Sequence, residues 1–125
     1  MKIYLKDVVN FFKAYEDLSQ QQMNIKLAWS LHKVKDTLTS DLEFYKENAK
    51  EILNKYAKKD KQGNIKYTED GNSVMLEDAT AFQQGLNELQ MMEREITPEQ
   101  ISIDLLPNEI TPSLLEALSK VFILK

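Results

Sequence analysis

His32 and Asp36 are the side chains whose types and spacing come closest to a metal site. They are four residues apart, so on a helix both lie on one face and can bind the same ion. A zinc site needs further protein ligands. The chain contains one histidine and no cysteine, and no third ligand accompanies this pair. We therefore expect no metal and no cofactor.

Other candidate catalytic groups are equally incomplete. Ser30 and His32 are two residues apart, and on a helix such neighbours point to different faces, which prevents a nucleophile–base pair. Glu43 and Glu47 lack the apolar surroundings that would separate the pKa values of a general acid and a general base. No glycine-rich phosphate-binding loop is present. These absences predict that the protein is not an enzyme.

Composition indicates one ordinary globular domain. The chain has 125 residues, of which 42% are hydrophobic and 29% charged, so we expect a single domain over residues 1–125. No apolar run is long enough to span a membrane, and the absence of cysteine fits a reducing cytosol. We expect a cytoplasmic protein without a signal peptide.

Charge is distributed unevenly along the chain. Residues 1–66 hold thirteen lysines and nine acids, whereas residues 67–125 hold three bases and eleven acids. The two halves either neutralise each other in the fold or present an acidic face to a basic partner. The basic half has no arginine and no aromatic-interleaved cluster, so the sequence does not favour nucleic-acid binding.

Helical periodicity dominates the pattern. It predicts helices at about 7–19, capped by Asp7, at about 24–58, at about 78–92 and at about 112–122. The long helix starts at the cap Asn24, and its apolar positions recur about every 3.6 residues. These positions are Leu27, Leu31, Val34, Leu38, Leu42, Tyr45, Ala49, Ile52 and Tyr56.

Short β-structure completes the expected fold. A hairpin is predicted at about 64–77, with Asp70–Gly71 as a two-residue type I′ loop, Tyr67 opposite Val74 and Ile65 opposite Leu76. Thr97 is expected to cap a single helical turn, and Ile101 and Ile103 to lie in extended segments. The predicted class is α+β, mainly α, with one long central helix flanked by shorter helices and short extended C-terminal segments.

A second group of residues, which includes the apolar Ile25 and Trp29, lies opposite the long apolar stripe of the central helix. It consists of Ile25, Trp29, His32 and Asp36, which share one face at helical spacing. Either this end of the helix is covered on both sides by other elements, or Trp29 and its neighbours form an exposed anchor for a partner. The burial of Trp29 decides between the two alternatives.

Several motifs together resemble a family of small proteins of unknown function. The motifs are MKIYLKDVVNFF, NIKLAWSLHKVKDTL, ILNKYAKKDKQGNIKYTEDGN, LEDATAFQQGLNEL and EITPSLLEAL, in that order. The family is encoded by tailed phages and prophages of Gram-positive bacteria. Since the family has no known catalytic motif, the resemblance assigns no functional residue. It implies a phage gene product made in the host bacterial cytoplasm.

Two functions follow as expectations. The first is a non-enzymatic interaction protein, such as an assembly factor, a minor virion component or an adaptor, that binds a phage or host protein. The second is an inhibitor of a host defence or replication enzyme that acts through the acidic C-terminal half. Self-association remains open in both.

Overall fold

A computed structural model describes all residues 1–125 and shows the expected α+β, mainly α, class. Four α-helices and four three-residue strands alternate with loops. In chain order they are β1 (Lys2–Tyr4), α1 (Leu5–Ser19), α2 (Ile25–Tyr56), α3 (Ala79–Gln90), β2 (Glu93–Glu95), β3 (Glu99–Ile101), α4 (Pro112–Ser119) and β4 (Phe122–Leu124). None of the helices is long and apolar enough to cross a membrane.

The residues group into two compact units. The terminal unit comprises residues 1–43 and 92–125, and the central unit comprises residues 44–91. Helix α2 contributes residues to both units and runs without a break through Thr37–Leu42. The single domain over residues 1–125 stays a prediction.

Side-chain caps fix three of the helix starts as expected. The Asn24 side chain accepts a hydrogen bond from the Lys26 N–H (2.8 Å) before α2, and Asp78 accepts one from the Ala81 N–H (3.0 Å) at the start of α3. Thr111 accepts from the Leu114 N–H (3.3 Å), with Pro112 as the first residue of α4. Each cap satisfies an N–H that has no partner within the helix.

The start of α1 differs from the prediction. Asp7 does not precede the helix but lies within its first turn, where its carboxylate accepts the Tyr4 N–H at 2.9 Å. Strand β1 runs directly into the helix, so Tyr4 is the residue that precedes the helix. Asp7 accepts the Tyr4 N–H from a position inside the first helical turn. Asp7 is buried, and this hydrogen bond satisfies one of its carboxylate oxygens.

The core of the terminal unit forms where α1, α2 and α4 supply buried apolar side chains. Leu27, Leu31 and Leu38 are buried, which confirms the N-terminal part of the predicted stripe. Further buried members of this unit are Ile3, Leu5, Val8, Phe11, Ala14, Leu18, Ile101, Leu106, Leu118, Val121 and Phe122. The rings of Phe11 and Phe122 meet with centroids 6.3 Å apart.

Two small sheets join distant parts of the chain in this unit. β1 pairs antiparallel with β2, and β3 pairs parallel with β4. The predicted helical turn at Thr97 and the continuation of the last helix to residue 122 are therefore wrong. The chain forms β3 and β4 there instead, because each strand finds its hydrogen-bond partners in the other. Ile101 is a buried strand residue, whereas Ile103 begins a 3₁₀ turn and is exposed.

The hairpin lies in the central unit and is only partly as predicted. Tyr67 pairs with Val74, but Ile65 pairs with Lys59 and Leu76 pairs with Ala57. α2 therefore ends at Tyr56 and not at residue 58, because Ala57 and Lys58 already belong to this β-structure.

The loop of the hairpin has four residues, Glu69–Asn72, and is closed by the Thr68 N–H, which donates to the Ser73 carbonyl at 2.8 Å. A type I′ loop needs positive φ at both central residues. Gly71 has φ +74°, but no residue other than glycine has a positive φ. The predicted loop type is therefore wrong.

Candidate functional site

Ile25, Trp29, His32 and Asp36, which we name the tryptophan face, are all exposed on α2 in the terminal unit. Trp29 is 59% exposed and Ile25 81% exposed. The covered alternative is therefore wrong, and the face is open to solvent. Leu27, Leu31 and Leu38, on the opposite side of the same part of α2, are buried. This part of α2 therefore packs against the rest of the terminal unit on one side only.

Two neighbours hold the indole of Trp29. The imidazole of His32 stacks on it, with ring centroids 5.7 Å apart and an interplanar angle of 27°. The Nζ atom of Lys33 lies 5.8 Å from the indole centroid, within the range of a cation–π contact. An aromatic ring and an ammonium group thus restrict an otherwise exposed side chain.

Each of these neighbours is itself tethered. His32 Nε2 lies 3.3 Å from Asp36 Oδ2, one helical turn further on. Lys33 Nζ lies 2.6 Å from Glu99 Oε1, which comes from β3. The tryptophan face is therefore supported both from within α2 and from a neighbouring strand of the same unit.

A small hollow adjoins the face. It has a volume of about 100 Å³ and is lined by Lys33, Val34, Thr37, Leu38, Ile96, Thr97, Glu99 and Val121. Lys33 and Glu99 belong both to its wall and to the support of Trp29. Sequence spacing alone placed the four residues of the face, but it did not identify Glu99, which lies 66 positions after Lys33 in the chain and meets it in the fold.

The tryptophan face lacks a complete set of metal ligands. The His32–Asp36 pair is joined by no third His, Asp or Glu that could complete a metal cluster. Ser30 lies near in sequence, but no hydrogen bond links it to His32. A larger groove of about 550 Å³ lies between α1 and α4, and neither Trp29 nor His32 lines it.

Three of the six acidic residues in segment 92–125 form ion pairs within the terminal unit. Glu93 contacts the Lys2 ammonium at 3.3 Å, Glu95 contacts the N-terminal ammonium at 3.5 Å, and Glu99 contacts Lys33. These pairs reduce the negative charge that this region offers to a basic partner. Arg94, the one arginine of the chain, binds Asp41 with Nε 3.0 Å from both carboxylate oxygens.

The resemblance to a phage family rests on the sequence motifs alone, and no relative supplies a function for the tryptophan face. No family model matches the chain, and no curated protein or solved structure matches it.

Proposed function

We propose that this chain is a non-enzymatic protein-interaction protein encoded by a phage or prophage, and that it works as an assembly factor, a minor virion component or an adaptor. It binds a phage or host protein through the tryptophan face. The observation that supports this function is the exposure of Trp29, the only tryptophan of the chain, in a restrained orientation. The phage origin rests on the resemblance of the motifs.

Restraint of the indole favours binding for a thermodynamic reason. A side chain that becomes fixed at an interface loses rotational freedom, which costs about 0.5–1.5 kcal/mol. The stacking of His32 and the position of Lys33 remove part of this freedom before a partner arrives. Tryptophan is enriched among the residues that dominate binding energy, provided that a pocket buries it fully.

The partner must therefore offer an apolar pocket of the size of an indole. Ile25, one helical turn before Trp29, extends the apolar contact along α2. Asp36 and Glu99 are engaged with His32 and Lys33, so the polar surroundings of the face are already paired. Such a paired rim around an apolar centre resembles the organisation of ordinary protein interfaces.

The test is co-purification followed by direct binding. Tagged wild-type protein, expressed in lysogenic or infected cells, should recover one stoichiometric partner. The purified partner should then bind Trp29→Ala at least about 30-fold more weakly than wild type, which corresponds to a cost of about 2 kcal/mol for an interface anchor. Thermal unfolding of Trp29→Ala should match that of wild type, because the indole is mostly exposed.

The matched control is Tyr67→Ala. Tyr67 is 57% exposed, close to the value for Trp29, but lies in the central unit. This variant should bind the partner with the affinity of wild type. Equal binding by Trp29→Ala and wild type would contradict the proposal. If the wild-type chain associates only with itself, and Trp29→Ala weakens that association, the partner is a second copy of this chain.

A further inference from the structure

The central unit contains a closed ring of three backbone hydrogen bonds. The Lys58 N–H donates to the Met75 carbonyl (2.8 Å), the Met75 N–H to the Lys66 carbonyl (3.0 Å) and the Lys66 N–H to the Lys58 carbonyl (2.8 Å). We name these three residues the lysine junction. All three side chains are exposed, and the ring fixes the positions of their backbones.

The ring brings two lysines together. The hydrogen bond from the Lys66 N–H to the Lys58 carbonyl lies next to the bridge between Lys59 and Ile65, so the backbones of the two lysines are neighbours. Like charges on neighbouring strands repel each other. Lys55, Lys59 and Lys61 are close in the chain, so residues 55–66 hold five lysines and one acid.

The neighbouring carboxylates do not neutralise this cluster. Asp60 Oδ1 accepts the N–H groups of Gln62 (2.9 Å) and Asn64 (3.0 Å), so it serves the turn that follows α2. Asp70 accepts from Thr68 and Asn72 in the hairpin loop. All the ion pairs of the structure lie in the terminal unit. The junction is therefore a concentrated positive charge without an internal counter-ion.

We propose that the lysine junction binds the phosphate backbone of a nucleic-acid strand, a function beyond the protein contact proposed above. Lysine is depleted at protein–protein interfaces, which depend on a buried apolar centre. Exposed lysine–carboxylate pairs contribute little to affinity. A phosphate backbone, in contrast, releases condensed counter-ions when lysines approach, so a few ammonium groups suffice for measurable binding.

Flanking acids limit the length of the contact. Glu69 lies three residues beyond Lys66 in the hairpin loop, and Glu77 follows Met75 by two residues. Both carboxylates repel a strand that extends past the junction. The contact therefore covers about two or three phosphates, which for a single strand predicts a slope of log K against log salt of about −2.

The experiment measures fluorescence anisotropy of a labelled 20-nucleotide single-stranded DNA against the full chain, from about 20 to 200 mM NaCl. Wild type should bind with the slope given above. Lys58→Gln/Lys66→Gln should bind at least about tenfold more weakly at low salt and reduce the slope by about 1.4. Glu69→Gln should bind more tightly than wild type, because it removes a repelling charge.

The matched control is Lys13→Gln/Lys120→Gln, which changes the net charge equally but lies in the terminal unit. It should leave the slope unchanged, and thermal unfolding should show that every variant is folded. An equal loss in both double variants, or no binding by wild type at 20 mM NaCl, would overturn the proposal. So would competition by an eight-residue polyglutamate peptide as effective as that by unlabelled DNA, which would instead indicate an acidic protein segment.

Discussion

The imidazole of His32 stacks on the indole of Trp29, with 5.7 Å between ring centroids. Because the chain has one tryptophan, fluorescence excited selectively at tryptophan reports on this single indole. We predict that His32→Ala increases the local mobility of the indole, seen as a faster component in time-resolved anisotropy. The free energy of unfolding should change by less than about 0.5 kcal/mol, because both rings are largely exposed.

Asp36→Ala provides a graded comparison for the same measurement. It keeps the stacking ring but removes the carboxylate 3.3 Å from His32 Nε2. The mobility of Trp29 should therefore lie between the values for wild type and His32→Ala. If the anisotropy decay of His32→Ala equals that of wild type, the stacking does not restrain the indole.

Leu38 tests the buried side of α2. Its side chain is fully buried in the terminal unit, so Leu38→Ala removes apolar contacts and leaves a cavity. We predict a loss of about 2–5 kcal/mol in the free energy of unfolding, measured by urea denaturation. Ile103→Ala, at an exposed position, should cost less than about 0.5 kcal/mol. Similar losses in both variants would contradict the burial of the stripe.

Local signals in the sequence are sufficient to predict that the four helices exist and to identify three of their four caps. The spacing of Leu27, Leu31 and Leu38 predicted a buried stripe, and Asn24, Asp78 and Thr111 were identified as caps because a cap acts within three residues of its own position. The grouping of the tryptophan face also followed from helical geometry. Its exposure did not, because periodicity gives the direction of a side chain but not what lies beyond it.

Long-range pairing explains the main errors. β1 pairs with β2 across about ninety residues, as Lys2 opposite Glu95 shows, and no local pattern marks a three-residue strand. The parallel pairing of β3 with β4 replaced a predicted helical turn. The approach of Lys58 to Lys66 also depends on backbone pairing, which brings together two residues that are eight positions apart in the chain.

Gly85 offers a stabilising substitution in the central unit. It lies inside α3, where glycine is less favourable than alanine by about 0.8–1.0 kcal/mol. A Cβ atom there would lie 3.5 Å from Cγ2 of Ile52, an ordinary van der Waals distance. We therefore predict that Gly85→Ala raises the free energy of unfolding by about 0.5–1 kcal/mol. Gly71→Ala, at φ +74°, should instead lower it, and a loss in both variants would indicate that α3 and α2 have no room for the methyl group.

The ionisation of Asp70 makes the stability of the hairpin loop depend on pH. The Thr68 hydroxyl and then the Asn72 N–H donate to its carboxylate and hold the pKa of Asp70 below its ordinary value of 3.8. A lowered pKa means that the ionised form stabilises the folded loop; this contribution is complete above 3.8 and is lost as the pH falls through the folded pKa. We predict that Thr68→Val raises the pKa of Asp70, measured by the pH dependence of its carboxyl ¹³C shift. Asn72→Ala retains the backbone donor and should raise it less. A pKa unchanged in Thr68→Val would show that the hydroxyl does not stabilise the carboxylate.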